Sequence, residues 1–185
     1  QFRFRYIHRI KTPSNKAATT GIIVHEALEA LVKPPPPVTE EVIDSILNKI
    51  ILSHVNRIPM LSETQLSEIR KYIQIWGNSE SAGNDVLGVE IPISFNFEGR
   101  PFTGKIDRVE YDSEGRLRLI DFKTGKPRKK PGDKGMEQLL LYAHGWREMN
   151  GKLPESIVLD HVMHETTLER DINPLILERG LARLT

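Results

Sequence analysis

The stretch GKIDRVEYDSEGRLRLIDFKTGK, Gly104 to Lys126, constrains the fold of this chain more than any other. Its link DSEG, Asp112 to Gly115, suits a type I turn closed by a glycine bulge, so the flanking runs read as an antiparallel hairpin. With three loop residues, Asp112 faces Arg116, and counting back sets Asp107 opposite Asp121. Facing residues on paired strands lie roughly 4.5–5.5 Å apart at Cα. Side chains two apart on a strand share a face, so Lys123 projects beside Asp121. Two carboxylates and an ammonium are thereby predicted within a few ångströms of one another.

Such a group suits a divalent cation. Mg²⁺ and Mn²⁺ prefer hard oxygen donors, typically one or two carboxylates with waters and phosphate oxygens. An ion held by Asp107 and Asp121 would polarise a phosphodiester and acidify water. Lys123 would orient that water, take its proton, or stabilise charge building on the phosphate. An Asp-x-Lys pair alone is more often a surface ion pair on an exposed hairpin. The facing Asp107 is what argues against that here.

Four blocks in order, GIIVHEALEAL, GKIDRV, LIDFKTGK and QLLLYA, resemble the RecB-like branch of the PD-(D/E)XK nuclease superfamily, from about Phe2 to about Leu168. The resemblance implies a restriction-endonuclease-like α/β fold, a mixed central sheet flanked by helices, and cleavage of DNA. It implies metal ligation by His25, Asp107 and Asp121 and a catalytic role for Lys123. Gln138 and Tyr142 fall on the helix that places substrate and lysine. Glu90 in GVEIPISF falls where the family often has a further acidic ligand. The cofactor implied is Mg²⁺ or Mn²⁺. Some relatives hold an iron–sulfur cluster in flanking cysteines; this chain has no cysteine, so no such cluster is expected within it. It reads as a fragment of a longer protein.

Each added residue also has a plainer reading. His25 borders an apolar stripe of Val24, Leu28 and Leu31 and would serve as a core histidine. Glu90 lies opposite in phase to Ile91, Ile93, Phe95 and Phe97, which would send it to solvent. Gln138 and Tyr142, four apart, are neighbours on one helical face and suit a surface-to-core boundary.

The remaining elements follow from periodicity and punctuation. A helix is predicted over Gly21–Leu31, stopped by Pro34 to Pro37. Two more follow. One is capped by Thr39, with Val42, Ile43, Ile46, Leu47, Ile50 and Ile51 as its stripe; the other has a Ser62–Gln65 capping box and carries Leu66, Ile69, Ile73 and Trp76. They read as a helical insertion at about 38–80 within a single nuclease domain spanning 1–185. Gly77 to Asp85 reads as a polar linker. Strands are predicted near Val86–Phe97, Pro101–Tyr111 and Arg116–Lys123. A helix near Lys134–Met149, a strand near Ser156–His164 and a helix from Pro174 close the chain.

Charge bears on the partner. With 28 % charged and 38 % hydrophobic residues, neither a disordered nor a membrane protein is indicated, and an intracellular, cytoplasmic enzyme is expected. The net charge is only +1, yet Lys126, Arg128, Lys129 and Lys130 crowd the looped run after Lys123. Arg3 and Arg5 alternate with Phe2, Phe4 and Tyr6, a pattern for stacking unpaired bases while cations hold phosphates. A solvated loop and an amphipathic element with core aromatics are the plainer readings.

The reading is a metal-dependent DNA nuclease, an exonuclease on single-stranded or end-bearing DNA in repair, recombination or defence. The chain lacks G-x-x-x-x-G-K-[ST], so unwinding would fall to a helicase subunit or domain. The competing readings are a non-catalytic nucleic-acid-binding scaffold in a helicase–nuclease complex and a hydrolase of small phosphorylated molecules.

Overall fold

In a computed structural model, which describes residues 16–32, 37–54, 61–127 and 134–184, the DSEG link closes as its residues dictate. The Asp112 N–H donates to the Arg116 carbonyl at 3.1 Å and the Gly115 N–H to the Asp112 carbonyl at 2.9 Å. Gly115 takes φ 76°, the left-handed conformation that glycine adopts without a Cβ penalty. The turn sets the register of β2 (Arg100–Tyr111) on β3 (Leu117–Phe122), which runs antiparallel from Tyr111 opposite Leu117 to Arg108 opposite Ile120. That is the register in which Asp107 comes level with Asp121.

Three further strands complete a mixed five-stranded sheet in sequence order. β1 (Asp85–Phe97) pairs antiparallel with β2, and β4 (Ser156–His161) pairs parallel with β3. A parallel neighbour requires a long crossover, which α4 (Lys134–Asn150) supplies. The chain then departs from expectation. The strand predicted to run to His164 stops at His161, turns through a short 3₁₀ segment and a left-handed Glu165 (φ 48°), and returns as an edge strand, β5 (Thr166–Asp171).

Alternation along the central strands creates two cores. Ile120, Phe122 and Val158 pack under α1 (Lys16–Ala30), α2 (Glu40–His54) and α3 (Glu63–Gly77). Leu117, Leu119, Ile157 and Leu159 pack against α4 and α5 (Pro174–Leu181). β3 and β4 are therefore covered on both faces, which accounts for the apolar residues at successive positions, Leu119 and Ile120 in one and Ile157 to Leu159 in the other. The helix caps follow the sequence: Ser62 and Gln65 form a reciprocal capping box, and the Thr39 hydroxyl accepts the Val42 N–H at 3.4 Å. α1 begins at Lys16, ahead of the predicted Gly21.

The stretch predicted as a polar linker is tied to the sheet. The Ser81 carbonyl accepts from Arg108 Nη2 at 2.9 Å, and Asn84 Nδ2 donates to Glu110 Oε1 at 2.7 Å. Arg108 and Glu110 form a fully buried ion pair, Nε to Oε2 2.5 Å. A buried pair is tolerated only when its other donors and acceptors are also met, and this stretch meets them. Among the described residues no helix is long and apolar enough to cross a membrane.

Candidate active site

The site forms where the β1–β2 hairpin breaks its own alternation. Val109 faces α4, while Arg108 faces the other layer with its guanidinium 5.0 Å from the Trp76 ring centroid. Strict alternation would send Ile106 to the Arg108 side, yet Ile106 packs in the α4 layer. The phase slips at Asp107. In β1 the pairs Val89–Arg108 and Ile91–Ile106 bracket Glu90, level with Asp107, and Glu90 takes φ 50°. A non-glycine residue there is uncommon and marks a local departure from strand geometry. The β2–β3 ladder also ends here. Its last pair is Arg108–Ile120, and the Phe122 N–H donates instead to Asp107 Oδ2 at 2.7 Å.

Around this break the sequence-predicted residues gather from three elements. His25 comes from α1, where Val24 and Leu28 anchor the helix in the core. Its ring meets the Phe122 ring edge-on at 6.4 Å between centroids, and Nδ1 lies 3.6 Å from Asp107 Oδ2. Asp121 is buried in β3, and Lys123 Nζ lies 2.5 Å from its Oδ2. The two form a close ion pair that opposes the effect of burial on Asp121.

Burial governs protonation here. Desolvation, then the Asp121 charge, pushes the Asp107 carboxyl up to about 7, against the Phe122 N–H and the Lys123 ammonium. Desolvation also raises Asp121, opposed chiefly by Lys123. It lowers His25, although Asp121 pulls the other way. A neutral imidazole and carboxyls reluctant to ionise share one small volume. Removal from water is the largest cause for all three groups, and perturbed groups clustered in this way mark a functional-site candidate.

On the α4 side, Gln138 Nε2 donates to the Tyr142 hydroxyl at 2.6 Å. Tyr142 packs so closely on β2 that a Cβ on Gly104 would lie 2.8 Å from its hydroxyl oxygen, so a larger residue there must displace the ring or the strand. Lys123, Lys126, Lys134, Gln138 and His161 line one cleft of about 350 Å³. The structure thus brings Lys123 and Gln138 to a common opening, with Lys126 exposed at its rim. Glu90 is not part of this contact set: its carboxylate pairs with Lys105 Nζ at 2.9 Å, and it reaches Asp107 and His25 only through its charge. Arg3, Arg5, Arg128, Lys129 and Lys130 lie outside the described residues.

His161 escaped the sequence reading. It closes β4, lines the cleft and is buried. Its signal was the phase of SIVLDH, which places it on the face of Leu159, but the expected continuation to His164 hid the strand end. Trp76 was read only as part of a helical stripe. Its Nε1 donates to Asp160 Oδ2 at 3.0 Å and its ring meets Phe122 edge-on at 5.5 Å, so α3 buttresses the strand ends that carry the site.

A divalent cation fits these side chains by chemistry. Two carboxyls, the half-buried Asp107 and the buried Asp121, are hard oxygen donors, and an imidazole whose pKa burial lowers stands beside them as a nitrogen donor. His25, Asp107 and Asp121 are the residues that would hold it. Among the described residues, no three His, Asp or Glu side chains already form a metal-binding group.

A family model described as the PD-(D/E)XK nuclease superfamily matches residues 1–170. The crystal structure of a protein of Eubacterium rectale named "Putative exonuclease" is similar with a TM-score of 0.62 at 12% identity, over 98% of this chain and 68% of that one. With the mixed sheet and its flanking helices, that likeness shows the restriction-endonuclease-like fold. The crystal structure of SSO0001 also matches, at a TM-score of 0.35 and 15% identity, over 90% of this chain and 86% of that one. No curated protein sequence matches the chain.

Proposed function

This chain belongs to the PD-(D/E)XK nuclease superfamily, and on that premise we propose that it is a divalent-metal-dependent DNA nuclease of the RecB-like branch. The observation that carries the reading is the meeting of His25, Asp107, Asp121 and Lys123 where β2 leaves β3. When bound, Mg²⁺ or Mn²⁺ supplies Lewis-acid polarisation of a phosphoryl oxygen and makes water more acidic. His25, Asp107 and Asp121 would hold the ion, with Glu90 as an outer charge. Lys123 orients the attacking water or neutralises charge on the phosphate. Gln138 and Tyr142, bonded to each other, keep the cleft wall beside the lysine in place.

Lys126, with Arg128, Lys129 and Lys130, follows Lys123 directly and serves backbone phosphates of the same strand. Arg3 and Arg5 take a similar role at the other end of the chain. Neither run has the character of base readout, which suits a nuclease recognising strand and end over sequence. We therefore read it as an exonuclease on single-stranded or end-bearing DNA, in repair, recombination or defence in the cytoplasm. We read 1–185 as one nuclease domain in which α2 and α3 form the insertion, acting with a helicase subunit or domain. Linear and closed circular DNA, each incubated with Mg²⁺, Mn²⁺ or EDTA, test this: digestion of linear DNA with metal and sparing of the circle are expected. Cleavage of the circle at an equal rate would contradict the exonuclease mode.

A further inference from the structure

His161 is bound at one ring nitrogen and open at the other. Its Nδ1 lies 2.7 Å from the Gly125 carbonyl oxygen. A carbonyl only accepts, so Nδ1 carries a proton, and with the single ring proton there Nε2 is a lone-pair acceptor. That Nε2 is buried and has no hydrogen-bond partner among the described residues. Buried polar atoms rarely stay so without a function or a missing partner.

The sheet places this acceptor beside the lysine. The parallel β3–β4 ladder runs to Phe122 opposite Asp160, and the Lys123 N–H donates to the Asp160 carbonyl at 2.7 Å. One step on, Lys123 comes level with His161, on neighbouring strands about 4.8 Å apart. Both side chains line the same cleft. The lysine's ammonium now lies 2.5 Å from Asp121 Oδ2. Under the function proposed above, on which this inference rests, Asp121 must also serve a divalent cation. An ammonium and a dication repel at such range, so the ammonium needs a second acceptor.

We propose that His161 is a positioning residue for Lys123: its Nε2 accepts the lysine's ammonium when a divalent cation takes Asp121. The Gly125 carbonyl holds the imidazole in the tautomer that can accept, and so ties the segment after β3 to the lysine's position. His161 touches neither the ion nor the reacting atoms in this role.

The test is Mn²⁺ affinity of the whole chain, measured by electron paramagnetic resonance of free Mn²⁺ without DNA. His161→Asn keeps a donor for Gly125 and loses the Nε2 acceptor; it is expected to weaken Mn²⁺ binding about tenfold, the size of one hydrogen bond to a charged group. His161→Gln restores an acceptor near the Nε2 position and should stay within about threefold of the native chain on the same basis. In a Lys123→Ala background the asparagine substitution should have no effect, because the group it acts through is gone. Equal weakening in both backgrounds, or none in the native one, overturns the proposal. A native chain that binds no Mn²⁺ overturns the metal-dependent function as well. Native binding indifferent to His161 removes this inference alone. Should the asparagine variant melt at the assay temperature, His161→Leu completes the same cycle.

Discussion

Asp107 carries the largest consequence of burial at the residue scale. Its carboxyl is pushed up to about 7 by desolvation and then by Asp121, against an ordinary value of 3.8. Between those two values the folded chain keeps a proton that the unfolded chain has lost. Stability of the metal-free protein therefore falls as pH rises through that window. Asp107→Asn, a neutral isostere that keeps an acceptor for the Phe122 N–H, should remove most of the fall. It should stabilise the metal-free chain at pH 8 by about 2 kcal/mol, less than the full cost of ionising so displaced a carboxyl, because water relaxes around the site. Urea unfolding at pH 5 and pH 8 measures this, and a variant less stable than the native chain at pH 8 would contradict it. Metal needs the ionised carboxylates, so Mn²⁺ affinity should climb as pH passes about 7 and flatten above it.

At the element scale the hairpin and α4 hold the site from opposite sides. Gly104→Ala would drive a Cβ to 2.8 Å from the Tyr142 hydroxyl oxygen and displace α4 or β2. A loss of about 1–3 kcal/mol is expected, as for overpacking in a close-packed core. An unchanged urea midpoint would show that Tyr142 moves aside freely. Trp76→Phe keeps the ring against Phe122 but removes the donor to Asp160, whose carboxyl burial already pushes up. Thr167 still serves that carboxyl, so losing the Trp76 bond should cost about 0.5–1.5 kcal/mol, seen in the same measurement.

These elements also show what a sequence can and cannot disclose. The DSEG turn fixes the β2–β3 register, because turn type and loop length leave no choice, and with it the level of Asp107 and Asp121. The Ser62–Gln65 box was legible for the same reason: its partners are three residues apart. What was hidden depends on distant partners. β5, TTLERD, is an exposed edge whose polar residues give little periodic signal. Ser81 and Asn84 looked like linker residues because the buried Arg108–Glu110 pair that they satisfy lies across the fold. The left-handed Glu90 and the slip at Asp107 break a pattern that alternation assumes, so periodicity sent Glu90 to solvent while the family resemblance made it a candidate ligand.

At the scale of the whole molecule, a net charge of +1 leaves little general attraction for a polyanion, so binding must rest on local clusters. Lys126 and Lys134 line the cleft with Lys123. Replacing either by alanine should weaken DNA binding alike across sequences and reduce the slope of log affinity against log salt by about 0.7–0.9. Fluorescence anisotropy at several salt concentrations reads this; an unchanged slope would place the DNA elsewhere.

Under the proposed function, Asp121 and Lys123 form one hydrolytic centre with a divalent ion. The most direct measurement is digestion of end-labelled DNA by the native chain, Asp121→Asn and Lys123→Ala, each with Mg²⁺, Mn²⁺ or EDTA. Metal-dependent cleavage by the native chain is expected. Either variant should lose at least about a hundredfold, the scale of removing one group that acts on developing charge, with salt-sensitive DNA binding retained. Undiminished cleavage in Lys123→Ala, or native cleavage that persists in EDTA, would contradict that function.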